Sequence, residues 1–118
     1  MAPELNVYGI RSCDTCRKAC KWLEEQGIEY RWVDLREQLQ TRATLRCWLD
    51  SVGAERLVNR RSITWRGLDE QQRPAPDSPD LPSLLRKHPT LIKRPVFERS
   101  GEIRAGFDED ARRWLLQE

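Results

Sequence analysis

The sequence has no apolar run approaching the length needed to cross a bilayer, and no basic start followed by an apolar stretch of the kind that marks a targeting signal. Met1-Ala2-Pro3-Glu4 leads almost directly into a strand-like segment. These absences predict a soluble, cytoplasmic protein that does not engage a membrane. Histidine is nearly missing, with His88 alone, and no second closely spaced cysteine pair accompanies Cys13 and Cys16. A zinc site would have to draw on Cys13, Cys16, Cys20 and either Cys47 or His88, without a second knuckle, so no metal is expected. Nor do the four cysteines suit disulfide stapling, because three of them crowd between positions 13 and 20. An excess of one charge is also lacking: 21 Lys and Arg face 19 Asp and Glu, for a net charge of +2. The signs alternate along most of the chain, so no basic face is evident and direct nucleic-acid binding is not expected. No internal repeat is found, and 118 residues suit one modest core, predicting a single domain over 1–118.

What the chain does contain is a Cys-x-x-Cys where a short apolar strand gives way to a helix. Leu5-Asn6-Val7-Tyr8 reads as the strand, Gly9 opens the turn, and Cys13-Asp14-Thr15-Cys16 leads into the helix. A pair at such a junction points to redox chemistry. Unpaired backbone N–H groups and the positive end of the helix dipole converge on the first turn, which favours a thiolate over a thiol. Cys13 is accordingly the candidate nucleophile. Cys16, Ala19, Cys20 and Leu23 recur at helical spacing, and Gly27 is placed to end the helix. Ile28, Tyr30 and Trp32 alternate with Glu29 and Arg31, predicting a second strand and a right-handed β-α-β unit. The redox pair then lies at the carboxyl end of the first strand.

A helical insert follows, in which Leu45, Trp48, Leu49 and Val52 share one face between a Thr41 cap and Gly53, with Leu57-Val58 extending the region. Residues 71–82 hold four prolines and read as a surface loop, while Leu81, Leu84 and Leu85 predict a brief helix stopped by Pro89. Segments 91–98 and 102–105 flank Arg99-Ser100-Gly101 and predict an antiparallel hairpin. A final helix, capped by Asp108, buries Ala111, Trp114 and Leu115. The predicted class is α/β with a mixed sheet: a β-α-β unit, a helical insert and a C-terminal β-β-α unit, the element order of a thioredoxin-like fold.

Beyond that order, particular residues carry a resemblance. They are Tyr8-Gly9-Ile10 followed by Cys13-Asp14-Thr15 and Arg17-Lys18-Ala19, then Trp22-Leu23, the 59–68 segment with Arg61 and Thr64-Trp65-Arg66, and Ile92-Lys93-Arg94-Pro95 followed by Gly106-Phe107. On these residues the sequence resembles the arsenate reductase-like ArsC/Spx family, over nearly its whole length. Within that family it is most similar to the YffB-like branch, whose Asn-x-Arg-x-x-x-x-Arg pattern matches Asn59, Arg61 and Arg66. The resemblance implies a glutathione-dependent thiol oxidoreductase, with glutathione as co-substrate and no tightly bound cofactor. True arsenate reductases carry a His in the turn where this chain has Gly9, and a third oxyanion-binding arginine near Gly106, where it has none. Arg104 is the nearest substitute, and arsenate reduction is disfavoured. Spx-type regulators share the Cys-x-x-Cys and bind the RNA polymerase α-subunit, so a redox-responsive regulator is the alternative.

The resemblance also distributes roles. Cys13 attacks a sulfur of a mixed disulfide or an oxyanion centre. A free thiol titrates at about 8.5, and a helix N-terminus or a nearby cation lowers that to roughly 3.5–7.5. Arg94 is the expected cation, preceding a Pro95 that the family places in cis against the nucleophile; the sequence itself does not reveal the isomer. Arg61, Arg66, Asp14, Thr15 and Pro95 complete the expected substrate-binding set, the guanidinium groups offering planar donors to carboxylates or an oxyanion. Cys16 is either the thiol that resolves a disulfide with Cys13 or the first apolar residue of the helix face, and both readings stand. Cys20 and Cys47 read as packing residues, and Trp65 as a residue that shapes the substrate cleft. The expected partners are a small thiol or oxyanion substrate and a redox protein; the hydrophobic pattern leaves oligomeric state undecided.

Overall fold

A computed structural model describes residues 3–117 of the chain. The chain groups into two compact units, one formed by the segments up to Gln38 and from Arg94 onward, the other by Leu39–Lys93. The first carries a four-stranded mixed sheet in the order β2-β1-β3-β4, where β1 is Leu5–Gly9, β2 Arg31–Asp34, β3 Val96–Arg99 and β4 Glu102–Ala105. β1 runs parallel to β2 and antiparallel to β3, so that Val7 is flanked by Trp32 on one side and Phe97 on the other. β3 and β4 form the expected hairpin, closed by Ser100 and Gly101, both at positive φ (52° and 83°), as a two-residue turn of this twist requires.

Helices α1 (Asp14–Glu25) and α6 (Glu109–Leu116) belong to this unit. Leu5 and Val7 of β1, Phe97 of β3, Ala19 and Leu23 of α1, and Ala111, Trp114 and Leu115 of α6 make one buried cluster. The apolar stripe of α1, Cys16, Ala19 and Leu23, is the face predicted from spacing. At its end Gly27 takes φ 69° and donates to the Glu24 carbonyl, while the Ile28 N–H donates to Leu23 at 2.9 Å. Asp108 caps α6 by accepting from the Ala111 N–H at 2.8 Å.

The second unit is helical. It contains α2 (Arg42–Val52), α3 (Ala54–Leu57), α4 (Ile63–Arg66) and α5 (Asp80–Lys87), with single 3₁₀ turns at Glu70–Gln72 and Pro89–Leu91. Thr41 caps α2 as expected, accepting from the Thr44 N–H at 3.0 Å, and α2 packs against α5. Arg46 ties the proline-rich segment down by donating to the carbonyls of Pro76 and Ser78 at 3.1 and 2.6 Å.

Four local expectations are corrected. β2 starts at Arg31 rather than Ile28, because the Ile28 N–H is spent on the helix cap; Ile28 and Tyr30 still pack against the cluster. β3 starts at Val96 rather than Leu91. Ile92 makes only an isolated bridge to Val58, the Lys93 N–H is taken by the Leu57 carbonyl, and Pro95 has no N–H to give a ladder. Helix α5 begins at Asp80 and includes Pro82, tolerated in a first turn whose N–H groups need no helical partner. Cys47 is exposed: the buried face of α2 carries Leu45, Trp48 and Leu49, and position 47 points away from it.

Phe97 is fully buried on a central strand of the sheet, with its ring 6.4 Å from that of Phe107. Phe97→Ala is expected to cost about 3–5 kcal/mol, read as a lower urea midpoint; a loss below about 1 kcal/mol would contradict this packing.

Candidate active site

The parallel β1–β2 pair and the antiparallel β1–β3 pair bring three chain segments to one edge of the sheet. β1 and β2 end there, at Gly9 and Asp34, and β3 begins there, with Val96 opposite Tyr8. The residues after β1, after β2 and before β3 therefore converge at the carboxyl end of β1. Cys13 and Cys16 come from the first of these segments, Arg94 and Pro95 from the third.

Cys13 is the N-cap residue of α1, with extended backbone (φ −82°, ψ 122°). Its N–H donates to Ile10 and its carbonyl accepts from the Arg17 N–H, each at 3.0 Å, fixing it at the mouth of the helix. An N-cap side chain faces the unpaired N–H groups of the first turn. Here that side chain is a thiol, and the Cys16 N–H points toward the sulfur without closing a short cap bond. Arg94, joined to the buried Pro95 by a cis peptide bond, donates a side-chain hydrogen bond to the same sulfur. Burial of the Cys13 sulfur works against charge. The Cys16 N–H, the Arg94 and Cys16 side chains and the positive charge of Arg94 together outweigh it, and Cys13 is held below the ordinary thiol range.

Cys16 has the opposite character. It is 1% exposed, and burial first, then the neighbouring Cys13, push its thiol up to about 12 despite the Ile10 N–H. The pair is divided into one thiol inclined to ionise and one that holds its proton. Cys20 is half-buried, also raised, first by burial, and hydrogen-bonded to Tyr30. Asp14 and Thr15 are both exposed on the first turn, where Asp14 accepts from Arg17 at 2.6 Å.

Two residues that the sequence reading did not single out as site residues support this turn. A Cβ at Gly9 would lie 2.6 Å from the Cys16 sulfur and 2.7 Å from the Trp32 ring, so a side chain there would force Cys16 or Trp32 to shift. Asp34 is the one buried charged residue found among the described residues. Its carboxylate accepts from the N–H groups of Arg36 at 2.8 Å and Arg11 at 3.1 Å, joining the turn after β2 to the turn that carries Cys13. Burial alone would raise the Asp34 pKa. The backbone donors Arg36, Arg11 and Glu37, with the charge of Arg11, hold it below the usual carboxylate value. The signal for Asp34 is in the sequence as a lone acid between Val33 and Leu35.

Arg61 and Arg66 belong to the second unit, where the Asn59 pattern folds into a hydrogen-bonded loop. Asn59 Oδ1 accepts from the Arg61 N–H at 3.3 Å, and Arg66 Nε and Nη2 donate to the Arg61 carbonyl at 3.1 and 3.0 Å. Both side chains are exposed. Trp65 is covered by Arg73, whose guanidinium carbon is 5.5 Å from the ring centroid. Arg104 does not replace the missing third arginine: its guanidinium lies over the Trp114 ring at 5.2 Å and pairs with Glu102 at 3.7 Å.

A model of the ArsC family matches residues 8–114. The chain belongs to the ArsC family. It is 42% identical over 105 residues to an uncharacterised protein of Haemophilus influenzae, covering 89% of this chain and 92% of that one. It is 31% identical to the global transcriptional regulator Spx of Listeria innocua, over 95% of this chain and 86% of the regulator. A solved YffB structure superposes with a TM-score of 0.86 at 36% identity, covering 96% of this chain and 99% of the other. The fold is thioredoxin-like, and ArsC membership and the divided thiol pair together support a thiol-based redox role. No helix among the described residues is long and apolar enough to cross a membrane.

Arg94→Ala is expected to move the pH midpoint of Cys13 alkylation upward, toward the free-thiol value of about 8.5; an unchanged midpoint would remove Arg94 from the site. Asp34→Ala is expected to cost about 1–3 kcal/mol at neutral pH by stranding the Arg11 and Arg36 N–H groups. Because the folded-state pKa of Asp34 is depressed, its stabilisation is full above the ordinary carboxylate value and is lost as pH falls through the folded-state value. Urea titrations in the acid range should therefore show a shallower pH dependence in Asp34→Ala than in wild type, and parallel curves would refute the assignment.

Proposed function

We propose that this ArsC-family protein is a glutathione-dependent thiol reductase in which the Cys13 thiolate accepts a glutathionyl group from a mixed disulfide. The observation that carries the reading is the division of the pair, with Cys13 held low by the Cys16 N–H and Arg94 and Cys16 pushed up to about 12. In the first step the Cys13 thiolate attacks the glutathionyl sulfur. A Cys13–glutathione disulfide forms as the substrate disulfide breaks, and the substrate sulfur leaves as a thiolate and takes a proton from solvent. In the second, the thiolate of a further glutathione attacks the glutathionyl sulfur on Cys13, releasing oxidised glutathione. Cys13 leaves readily because the groups that lower its pKa also stabilise it as a leaving group. The net reaction consumes one glutathione and yields the substrate thiol and oxidised glutathione.

Cys16 takes no covalent part in this cycle; its thiol donates a hydrogen bond to the Cys13 sulfur. Asp14, Thr15 and Pro95 are assigned to the walls around the mixed disulfide, and Arg61 and Arg66 keep their role as carboxylate-binding groups as part of this proposal. Glutathione acts as co-substrate, and the cytoplasm, where thiols remain reduced, is the proposed compartment. A second reading, a redox-responsive regulator that binds the RNA polymerase α-subunit, is favoured by the 31% identity to Spx over 95% of the chain.

Turnover of a glutathionylated peptide, with glutathione as donor, separates the two. The reductase reading expects Cys13→Ser to abolish turnover and Cys16→Ser to retain most of it. Absence of turnover in wild type, together with polymerase α-subunit binding that changes with the oxidation state of the pair, would put the regulator in its place.

A further inference from the structure

A groove of about 350 Å³ runs from Ile10 and Arg11, in the turn before Cys13, past Cys16 and Cys20 of α1 to Tyr30 and Trp32. Ile10, Tyr30 and Trp32 give it an apolar and aromatic lining, and Arg11, Arg17 and Lys21 give it positive charge. The three cations are exposed. Glu24 is the one acidic residue in the lining. Arg11 lies 3.5 Å from Glu37 and Arg17 bonds Asp14 at 2.6 Å, but exposed pairs of this kind are worth little and yield to a competing carboxylate. β2 is an edge strand of the sheet, so its outer side carries no neighbouring strand.

We propose that this groove binds the acidic segment of a polypeptide substrate, adjacent to the cysteine that exchanges with Cys13. The inference rests on the reductase reading and extends it from glutathione to the protein that carries the disulfide. A small anion is held where its donors converge on one point, whereas the positive groups here are strung along the groove at a spacing that a polypeptide can follow. Arg17 and Lys21 are four and eight residues beyond Cys13 on one helix, about 6 and 12 Å along its axis. An extended chain rises about 3.3 Å per residue, so a peptide whose cysteine meets Cys13 presents its second and fourth neighbours near those cations. Acidic side chains at those two positions fit the charge, and apolar or aromatic side chains between them fit Tyr30 and Trp32. The exchange differs from the glutathionyl transfer only in the sulfur attacked: the Cys13 thiolate attacks the peptide sulfur of the disulfide, a Cys13–peptide disulfide forms, the other sulfur leaves as a thiolate, and glutathione then releases the peptide thiol by the same chemistry.

The test uses two cysteine peptides activated as thiopyridyl disulfides, identical except for Glu or Lys at the second and fourth positions from the cysteine. Thiopyridone release is followed with wild type, Lys21→Glu and Lys18→Glu, with iodoacetamide alkylation of Cys13 measured in parallel. Lys18 is exposed on the same helix but does not line the groove. At low ionic strength wild type and Lys18→Glu should react about three- to tenfold faster with the acidic peptide. The preference should collapse toward one in Lys21→Glu, which should keep the wild-type iodoacetamide rate. The same preference in Lys21→Glu as in wild type, or an equal collapse in Lys18→Glu, would overturn the proposal by assigning the effect to overall charge. Inertness of Cys13 toward iodoacetamide would remove the reductase reading beneath it.

Discussion

Negative charge on the Cys13 sulfur is stabilised by groups from two segments far apart in sequence, the first turn of α1 and Arg94, two residues before β3. Neither contribution is local in the same way. The Cys16 N–H is available because Cys13 is the N-cap, a consequence of where the helix starts. Arg94 reaches the sulfur because β3 runs antiparallel to β1 and begins where β1 ends. The sheet thus brings a partly buried thiol enough partners to overcome its own desolvation, whereas the deeper burial of Cys16 outweighs its hydrogen bond from the Ile10 N–H and drives it in the opposite direction.

The turn that carries the nucleophile is fixed from below. Asp34 accepts from the Arg11 N–H, the Leu35 N–H donates to the Gly9 carbonyl at 2.8 Å, and Gly9 leaves room for Cys16 and Trp32. Cys16 consequently has a packing role as well as a hydrogen bond to its partner. A side chain at position 9 would displace Cys16 or Trp32, so the packing around the nucleophile's turn depends on Gly9.

The strand-to-helix junction and the apolar stripe of α1 were legible because both follow from short-range periodicity and from where backbone donors go unpaired. The core residues of α2 and α6 were legible for the same reason. Arg94 was legible from the proline that follows it and from the family resemblance, but its contact with Cys13 is a property of strand pairing and not of local sequence. Ile28 was misassigned because alternation continues through a helix cap whose hydrogen bonds no hydropathy pattern records. Cys47 was misassigned because its apolar neighbours lie on the other face of α2. Asp34 is visible in the sequence only as a single acid at an apolar strand end, because the donors that account for it lie on two separate turns.

The most direct measurement of the central claim is a pH titration of the β-carbon chemical shifts of both cysteines by NMR. The account predicts that Cys13 ionises first, below the free-thiol value of about 8.5, while Cys16 keeps its proton throughout the range in which the protein stays folded. Ionisation of Cys16 before Cys13, or of both together near the free-thiol value, would contradict it.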